Sequence, residues 1–291
     1  MIAIVRALPR IGLGLVLLIA GLLKGADPAE FARQITTYGL VSGSLAGAGA
    51  HVLIAVEIGL GIALLVGFRG RLSAAAGSLL MGVFMVITAY AWSKGRAEGC
   101  GCFGSLASRT PGEVLLEDTL FLTLGILAFL LAPKEGREAR WRWGAVAGAT
   151  AGAVLLSLTA YALPLDSLVT DLRVGGEVGK LPLRESPVDL ASGDHLVALL
   201  DLDSPAAGGM VRKMNGYSGA PGAPQPIAFY GGEVDERTVF CFNYDPRFEV
   251  VPVPRADLKR LYRVLPRFFQ VRNGRIVRIW EGFPPDAEEL R

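Results

Sequence analysis

The stretch LSAAAGSLLMGVFMVITAYAW, residues 72–92, contains no charged side chain and is long enough to cross a lipid bilayer as an α-helix. Other long apolar runs, which carry few charges, lie on both sides of it. They occupy residues 9–23, 51–68, 114–131 and 143–163. Each approaches the roughly 20 residues that a spanning helix needs. The sequence therefore predicts an α-helical membrane bundle of four helices plus a fifth transmembrane helix, with the lipid bilayer as its first partner and no nucleic acid.

After Pro164 the composition changes, because charged residues and prolines become frequent and no further spanning run occurs. Short apolar runs alternate there with helix-like segments, and Asn273-Gly274 between two β-rich runs is a strong hairpin signal. The predicted strands are 195–202, 226–230, 250–253, 267–272 and 275–280, and the predicted helices are 206–215, 235–244 and 255–262. This alternation predicts a soluble α/β domain that is long enough to have its own core.

Lysine and arginine are distributed unevenly over the segments that connect the apolar runs. If the helices alternate in direction, one side of the membrane receives Arg6, Arg10, Arg69, Arg71, Lys134, Arg137, Arg140 and Arg142. The other side receives Lys24, Arg33, Lys94, Arg96 and Arg109, spread over longer segments. Because loops rich in Lys and Arg stay in the cytoplasm, the N-terminus is predicted to lie inside a cytoplasmic (inner) membrane.

This orientation divides the chain into three predicted parts. Residues 1–132 form a four-helix membrane domain, residues 133–164 a cytoplasmic loop and the fifth helix, and residues 165–291 a domain in the periplasm or its equivalent. The first apolar run is predicted to be a retained helix and not a signal peptide, because Lys24 and Asp27 follow it where a small-residue cleavage site would stand.

The segment Cys100-Gly101-Cys102 lies in a polar loop on the predicted outer side, between two spanning runs. Two cysteines one residue apart can bridge only if the backbone bends, which Gly101 permits. Such an exposed, strained disulfide is typical of exchange-competent pairs, and the outer compartment allows disulfides to persist. Cys100 and Cys102 are therefore the candidate catalytic redox pair. The alternatives are a purely structural bridge or two ordinary reduced cysteines.

Ionisable residues recur near the predicted outer ends of the membrane segments. Lys24 closes the first run, His51 opens the second, Glu57 lies about two turns into the second, and Asp118 lies near the start of the fourth. Because charges in a membrane usually face the bundle interior or pair with one another, we expect a polar cluster of Lys24, Glu57 and Asp118. The alternative is an ion pair that only fixes helix register. Two histidines and three cysteines do not make a credible metal or haem site.

Residues 1–132 resemble the MauE/DoxX-like four-helix membrane proteins. The resemblance is carried by Ala20-Gly21-Leu22-Leu23-Lys24-Gly25-Ala26-Asp27-Pro28 with Phe31 and Tyr38, by Glu57-Ile58-Gly59-Leu60-Gly61, and by Cys100-Gly101-Cys102-Phe103-Gly104. The Cys-x-Cys-Phe-Gly element is the most specific of these. The resemblance implies a redox-associated membrane protein, of a family linked in methylamine utilisation to the maturation of a disulfide-rich periplasmic enzyme alongside a thioredoxin-like partner.

The soluble domain is similar to thioredoxin-like domains of the TlpA/MauD type. Leu265-Pro266-Arg267-Phe268-Phe269, followed by a hairpin through Asn273-Gly274, matches the end of that fold, and Pro266 matches its cis-proline. The Cys-x-x-Cys of working members is missing, because Ser204 and Ala207, on either side of Pro205, stand in place of the two cysteines. This degenerate site predicts a domain without thiol chemistry. Ser204 is expected to be a helix N-cap and not a nucleophile, and Cys241 a buried, inert residue.

Three interpretations of function remain open. In the first, Cys100 and Cys102 exchange disulfides or electrons with an extracytoplasmic or membrane protein that the soluble domain docks. In the second, the protein is a non-catalytic structural or assembly subunit of a membrane complex, such as a respiratory or electron-transfer complex. In the third, the bundle binds, transports or senses a lipid or a quinone, although no residue pattern points to a quinone or to any other cofactor.

Overall fold

The computed structural model describes residues 2–38, 41, 44–95, 110–133, 138–163, 165–166, 170–183, 186–218, 222–232, 234–286 and 289–290. The chain divides into two compact units, Met1–Leu165 and Asp166–Arg291. The first unit is helical, and the second contains a mixed β-sheet with helices on its faces. The predicted fold class, a membrane bundle followed by an α/β domain, is confirmed.

The first unit consists of long apolar helices and one short helix. Its helices are α1 (Ile2–Ala26), α2 (Pro28–Thr37), α3 (Ser44–Val66), α4 (Gly70–Ser93), α5 (Pro111–Leu131) and α6 (Arg140–Thr159), and a single 3-10 turn (Ala160–Ala162) follows. Within the described part of the chain, five of these helices are long and apolar enough to cross a membrane, and only α2 is not. Large apolar side chains such as Leu79, Leu116 and Leu130 point outward from them. An apolar exterior of this kind suits contact with lipid.

Small residues allow the spanning helices to approach one another closely. A Cβ atom placed on Gly61 of α3 would lie 2.8 Å from the backbone nitrogen of Leu18 and 2.9 Å from the carbonyl oxygen of Gly14, both on α1. Only glycine fits at such a contact, as is common where membrane helices cross. The α1–α3 contact is one of the main helix pairings in the bundle, with α4–α5 and α3–α6.

Two features of the bundle differ from the sequence prediction. The short helix α2 was not predicted, although Asp27 caps it by accepting a hydrogen bond from the Glu30 N–H at 3.1 Å and Pro28 occupies its first turn. Helix α3 begins at Ser44 and not at His51. His51 therefore lies two turns inside the helix, and Glu57 lies near its middle, deeper than predicted.

The second unit is built on a five-stranded sheet with the order β3-β2-β1-β4-β5. Its strands are β1 (Asp194–Leu200), β2 (Gln225–Gly231), β3 (Glu249–Val253), β4 (Arg267–Arg272) and β5 (Arg275–Glu281). Strands β1, β2 and β3 are parallel, while β4 pairs antiparallel with both β1 and β5. The predicted strands are all present, with bounds that differ by at most two residues.

Both faces of the sheet are covered, so the second unit has three layers. Helices α7 (Ala207–Asn215) and α8 (Val234–Tyr244) pack on one face, and α9 (Arg255–Lys259) and the segment around a 3-10 turn (Val178–Lys180) pack on the other. Successive residues of β1 alternate between the two cores, and the strand is buried on both faces. A central strand of this kind reads as a continuous apolar run, which is why the sequence revealed it.

The last two strands form the predicted hairpin. Asn273 and Gly274 have φ values of 48° and 77°, the left-handed conformation that a tight two-residue turn requires. The Asn273 side-chain oxygen also accepts a hydrogen bond from the Gly193 N–H at 3.3 Å. The peptide bond between Leu265 and Pro266, directly before β4, is cis, as predicted.

Candidate functional site

Lys24 and Glu57 form an ion pair in the interior of the helical bundle. Gly21, one turn before Lys24, sets the approach of the two helices, since a Cβ atom there would lie 2.7 Å from Ile58 Cγ1 and 3.1 Å from Glu57 Cβ. The exposed fraction is 7% for the Lys24 side chain and 0% for the Glu57 side chain. The structure thus brings together two of the three charged residues that the sequence predicts to cluster.

Aromatic side chains surround the charged end of Lys24. Its ammonium nitrogen lies 5.0 Å from the ring centre of Phe31 on α2 and 4.8 Å from that of Phe84 on α4. Both distances suit cation–π attraction, which is stronger where water is excluded. Three helices thereby hold the Lys24 ammonium in one place, next to the carboxylate of Glu57.

Glu57 uses only part of its hydrogen-bonding capacity. Its Oε1 accepts from Lys24, whereas its buried Oε2 accepts no hydrogen bond from any residue that the structure describes. His51 Nδ1, earlier on the same helix, is likewise buried without a hydrogen-bond partner among the described residues. Buried polar atoms without a partner are uncommon in folded proteins.

A cavity of about 260 Å³ lies beside the ion pair, and Lys24 forms part of its wall. Most of the wall is apolar and includes Phe31 and Phe84. The main polar side chains are Lys24 on α1, Gln34 on α2, Thr88 on α4 and Asp118 on α5. Asp118 is 2% exposed, and it lines the same cavity as Lys24. An apolar cavity with a few convergent polar groups is the usual form of a small-molecule site.

The cavity occupies one end of the bundle. Its walls come from the last turn of α1, from α2, and from the first half of α3, the second half of α4 and the first half of α5. The end of α4 and the start of α5 lie at this same end. Cys100 and Cys102 fall between these two helices in the sequence and lie outside the described residues, so the predicted redox pair remains a prediction.

Arginine side chains hold the opposite end of the bundle together. Arg10 on α1 donates hydrogen bonds to the carbonyl oxygens of Leu64 and Leu65 at the end of α3. Arg142 on α6 donates to the Gly67 carbonyl at 2.9 Å and pairs with Glu138. Positive charge is therefore built into the end of the helices that lies away from the cavity.

The second unit contains the segment predicted to be a degenerate thiol site. Ser204 and Pro205 lie between the carboxyl end of β1 and the start of α7, and Ala207 is the first residue of α7. Because Leu199 of β1 pairs with Arg267 of β4, Pro266 lies at the same end of the sheet. The structure therefore brings the Ser204 segment and Pro266 to one edge of the domain.

The local geometry at Ser204 differs from the prediction. The N-cap of α7 is Ala206 and not Ser204, and no side chain caps the helix. The Ser204 hydroxyl oxygen accepts from the Ala206 N–H at 3.4 Å, a turn that precedes the helix. The prediction failed because hydroxyl residues stabilise both N-caps and such turns. Cys241 on α8, predicted to be buried, is a half-buried free thiol packed against the neighbouring core.

Sequence reasoning missed several residues that shape the cavity. Gln34, Phe84 and Thr88 have no unusual spacing in the sequence, and they converge only because α2 and α4 pack beside Lys24. The start signals of α2, Asp27 and Pro28, would have revealed one wall. Among the described residues, no group of three His, Cys, Asp or Glu side chains is placed to hold a metal ion.

Comparison with known proteins gives one match. No curated protein and no solved structure matches the chain. A family model does match, and it covers residues 2–131, which include α1 to α5 and both members of the ion pair. Over these residues the chain is similar to the family described as Methylamine utilisation protein MauE.

Proposed function

We propose that this membrane protein takes part in redox chemistry, with Cys100 and Cys102 exchanging a disulfide with a protein partner on the outer face of the membrane. The observation that carries the proposal is the position of the two helix ends between which the cysteines lie in the sequence. The end of α4 and the start of α5 belong to the end of the bundle where the Lys24–Glu57 pair and the cavity lie. Similarity to the methylamine utilisation protein MauE over residues 2–131 supports a role of this kind.

The proposed reaction is thiol–disulfide exchange. A thiolate of the partner attacks one sulfur of the Cys100–Cys102 disulfide, which breaks the S–S bond and forms a mixed disulfide. The partner's second thiolate then attacks the partner sulfur of the mixed disulfide. This attack forms a disulfide within the partner and releases the cysteine of this protein. The partner leaves oxidised, and both cysteines of this protein are left as thiols. Two electrons and two protons pass from the partner to the Cys pair, and the reverse sequence would reduce a partner.

The distribution of charge supports the proposed orientation. Arg10 and Arg142 hold the end of the bundle opposite the cavity, and Arg69 and Arg71 follow α3 at that end. Because the arginine-rich end of a bundle is retained in the cytoplasm, the cavity end and the cysteines would face outward. Disulfides persist in that compartment, as the proposed exchange requires.

The second unit would supply a docking surface with a thioredoxin-like fold. Three features support this: α7 directly follows the central strand β1, β4 and β5 form a terminal hairpin, and Pro266 lies at the same edge of the domain as the Ser204 segment. Ser204 and Ala207 offer no sulfur for exchange, so the domain would bind without reacting.

Aromatic side chains form a rim around this edge. A Cβ atom on Gly208 would lie 2.9 Å from Tyr244 Cε1, and one on Gly209 would lie 3.0 Å from Phe283 Cζ. Both rings are therefore packed against the first turn of α7, and both remain substantially exposed. Exposed aromatic residues beside a fixed backbone edge are typical of protein interfaces.

A second candidate function is that of a non-catalytic subunit of a membrane complex. The observation in its favour is Phe242 on α8, which is 90% exposed and lies near the exposed Val239. Large apolar side chains that a soluble domain leaves in water commonly mark a permanent contact with another protein. In this case a disulfide between Cys100 and Cys102 would be structural.

Exchange with a dithiol peptide tests the proposed reaction. The oxidised protein, with Cys241→Ser to remove the third thiol, would be placed in lipid nanodiscs and mixed with a reduced peptide that contains two cysteines. We expect alkylation and mass spectrometry to show Cys100 and Cys102 becoming reduced while the peptide becomes oxidised. The variant with Cys100→Ser and Cys102→Ser is the control. A pair that stays oxidised under excess peptide would favour the subunit function.

A further inference from the structure

We infer that the cavity beside Lys24 binds the ring of a lipid-soluble quinone, a flat molecule with one hydrogen-bond-accepting oxygen on each of two opposite edges. This inference goes beyond the proposed disulfide exchange, because it concerns a small molecule and uses neither cysteine. It rests on the size of the cavity, on its position in the bundle, and on the placement of its polar side chains.

The wall of the cavity selects a ligand that dissolves in the membrane. The cavity lies between helices that are apolar enough to span a bilayer, and its wall is mainly aliphatic and aromatic. Its volume of about 260 Å³ is slightly below the range of roughly 300–1,000 Å³ that is usual for sites of drug-sized ligands. A single ring with a short part of its chain suits this space, whereas the two acyl chains of a phospholipid do not.

Polar groups from different helices in the cavity wall select the head of the ligand. The Lys24 ammonium on α1 has three N–H donors, and its contact with Glu57 uses one of them. The Thr88 hydroxyl on α4, a further donor, belongs to a side chain that is buried in the cavity wall. Donors on two separate helices match acceptor oxygens on two edges of one molecule.

Aromatic rings flank the place that this head would occupy. Phe31 and Phe84 come from different helices, and their ring centres lie within 5.0 Å of Lys24 Nζ. A planar quinone ring can pack against aromatic side chains of this kind, and the ion pair with Glu57 fixes the position of the Lys24 ammonium. An aliphatic lipid tail would contact the apolar wall but would accept no hydrogen bond from Lys24 or Thr88.

Binding of a short-chain benzoquinone to the protein in nanodiscs tests the inference, with empty nanodiscs subtracted. The protein would carry Cys100→Ser and Cys102→Ser, so that the result is independent of disulfide exchange. We expect saturable binding by titration calorimetry, and no binding of the corresponding arene without the two ring oxygens. Equal binding of both compounds, or no saturable binding of the quinone, would overturn the inference.

Two matched pairs of variants locate the site. A Cβ atom on Gly49, which lines the cavity, or on Gly47, which does not, would meet no atom within 4 Å. Gly49→Leu should therefore fill the cavity and abolish binding, whereas Gly47→Leu should not change it.

Thr88→Val should weaken binding about fivefold, the loss expected for one neutral hydrogen bond. Thr123→Val is its control, because that exposed hydroxyl donates to Thr119 within α5. Unchanged binding in both Gly49→Leu and Thr88→Val would place the quinone elsewhere and refute the site.

Discussion

Lys24 on α1 and Glu57 on α3 form an ion pair that is almost completely removed from solvent, although the two residues are 33 positions apart in the sequence. A buried pair of this kind contributes little net stability, but the loss of one member leaves the other charge without compensation. The pair therefore joins two spanning helices only while both charges are present.

Replacement of Glu57 by Gln should be strongly destabilising. We expect a loss of about 3–5 kcal/mol in the free energy of unfolding, because the buried Lys24 amine would lose its carboxylate partner. The double variant Lys24→Met with Glu57→Leu should recover most of this loss, since no charge is then buried. Chemical unfolding in detergent micelles measures both. Equal losses in the single and double variants would show that the charges do not act as a pair.

Close packing of α1 against α3 makes Gly61 sensitive to substitution. Gly61→Ala would place a Cβ atom 2.8 Å from the Leu18 nitrogen, and we expect a loss of about 1–3 kcal/mol from overpacking. Gly82→Ala is the control, because a Cβ atom there would meet nothing within 4 Å, and it should be neutral or slightly stabilising. The same unfolding measurement applies. A similar effect of both substitutions would argue against the close α1–α3 contact.

The sequence predicted the elements that follow from apolar periodicity and turn residues. Five apolar runs became spanning helices, and Asn273-Gly274 became a hairpin turn, because each signal is local. The meeting of Lys24 with Glu57 could be expected from the cost of isolated charges in a membrane. The depth of Glu57 within α3 was predicted to be too shallow. The small residues between Ser44 and Ala50 extend the start of α3 without being strongly apolar.

The cavity could not have been predicted in the same way. Thr88 and Phe84 are ordinary residues of an apolar helix, and their role depends on how α4 packs against α1, α2 and α5. Packing of this kind depends on shape complementarity over many side chains, which no local pattern records. The exception is α2, whose cap at Asp27 and first-turn Pro28 were overlooked signals in the sequence.

Restoring two cysteines should restore thiol chemistry to the second unit if it has a thioredoxin-like fold. The Ala207 N–H donates to the Ser204 carbonyl at 2.9 Å, a turn that brings these positions within reach of a disulfide. With Cys100→Ser and Cys102→Ser in the background, Ser204→Cys plus Ala207→Cys should form a disulfide and reduce insulin in the presence of dithiothreitol. Either single replacement is the control. Failure of the double variant to form a disulfide would contradict the proposed fold relationship.

Tyr217 gives the second unit a pH dependence in alkali. The side chain is 6% exposed, and its hydroxyl donates to the Pro285 carbonyl. Burial, with the nearby Asp286 and Glu289 charges, raises the pKa of Tyr217 from 10.0 to about 12. Because the folded pKa is the higher one, the stability gained is fully present below pH 10 and is lost as the pH rises towards about 12.

Absorbance titration at alkaline pH measures this effect. The difference between the wild type and Tyr217→Phe should show one phenol that ionises with a midpoint near 12. Between about pH 10 and pH 12, the free energy of unfolding should fall less in the Tyr217→Phe variant than in the wild type, because the variant has no phenol to ionise at this position. A difference curve with its midpoint near 10 would show that the Tyr217 hydroxyl is exposed and not buried.

Trapping of a mixed disulfide in the native membrane tests the central claim most directly. Cells would carry Cys241→Ser together with either Cys100→Ser or Cys102→Ser, so that one loop cysteine remains, and free thiols would be blocked by alkylation before lysis. We predict that at least one of the two variants forms a covalent adduct with a second protein, linked through the remaining cysteine and released by a reductant. If neither variant forms an adduct while the wild type still purifies with its membrane partners, the Cys pair does not exchange disulfides and the proposed function is wrong.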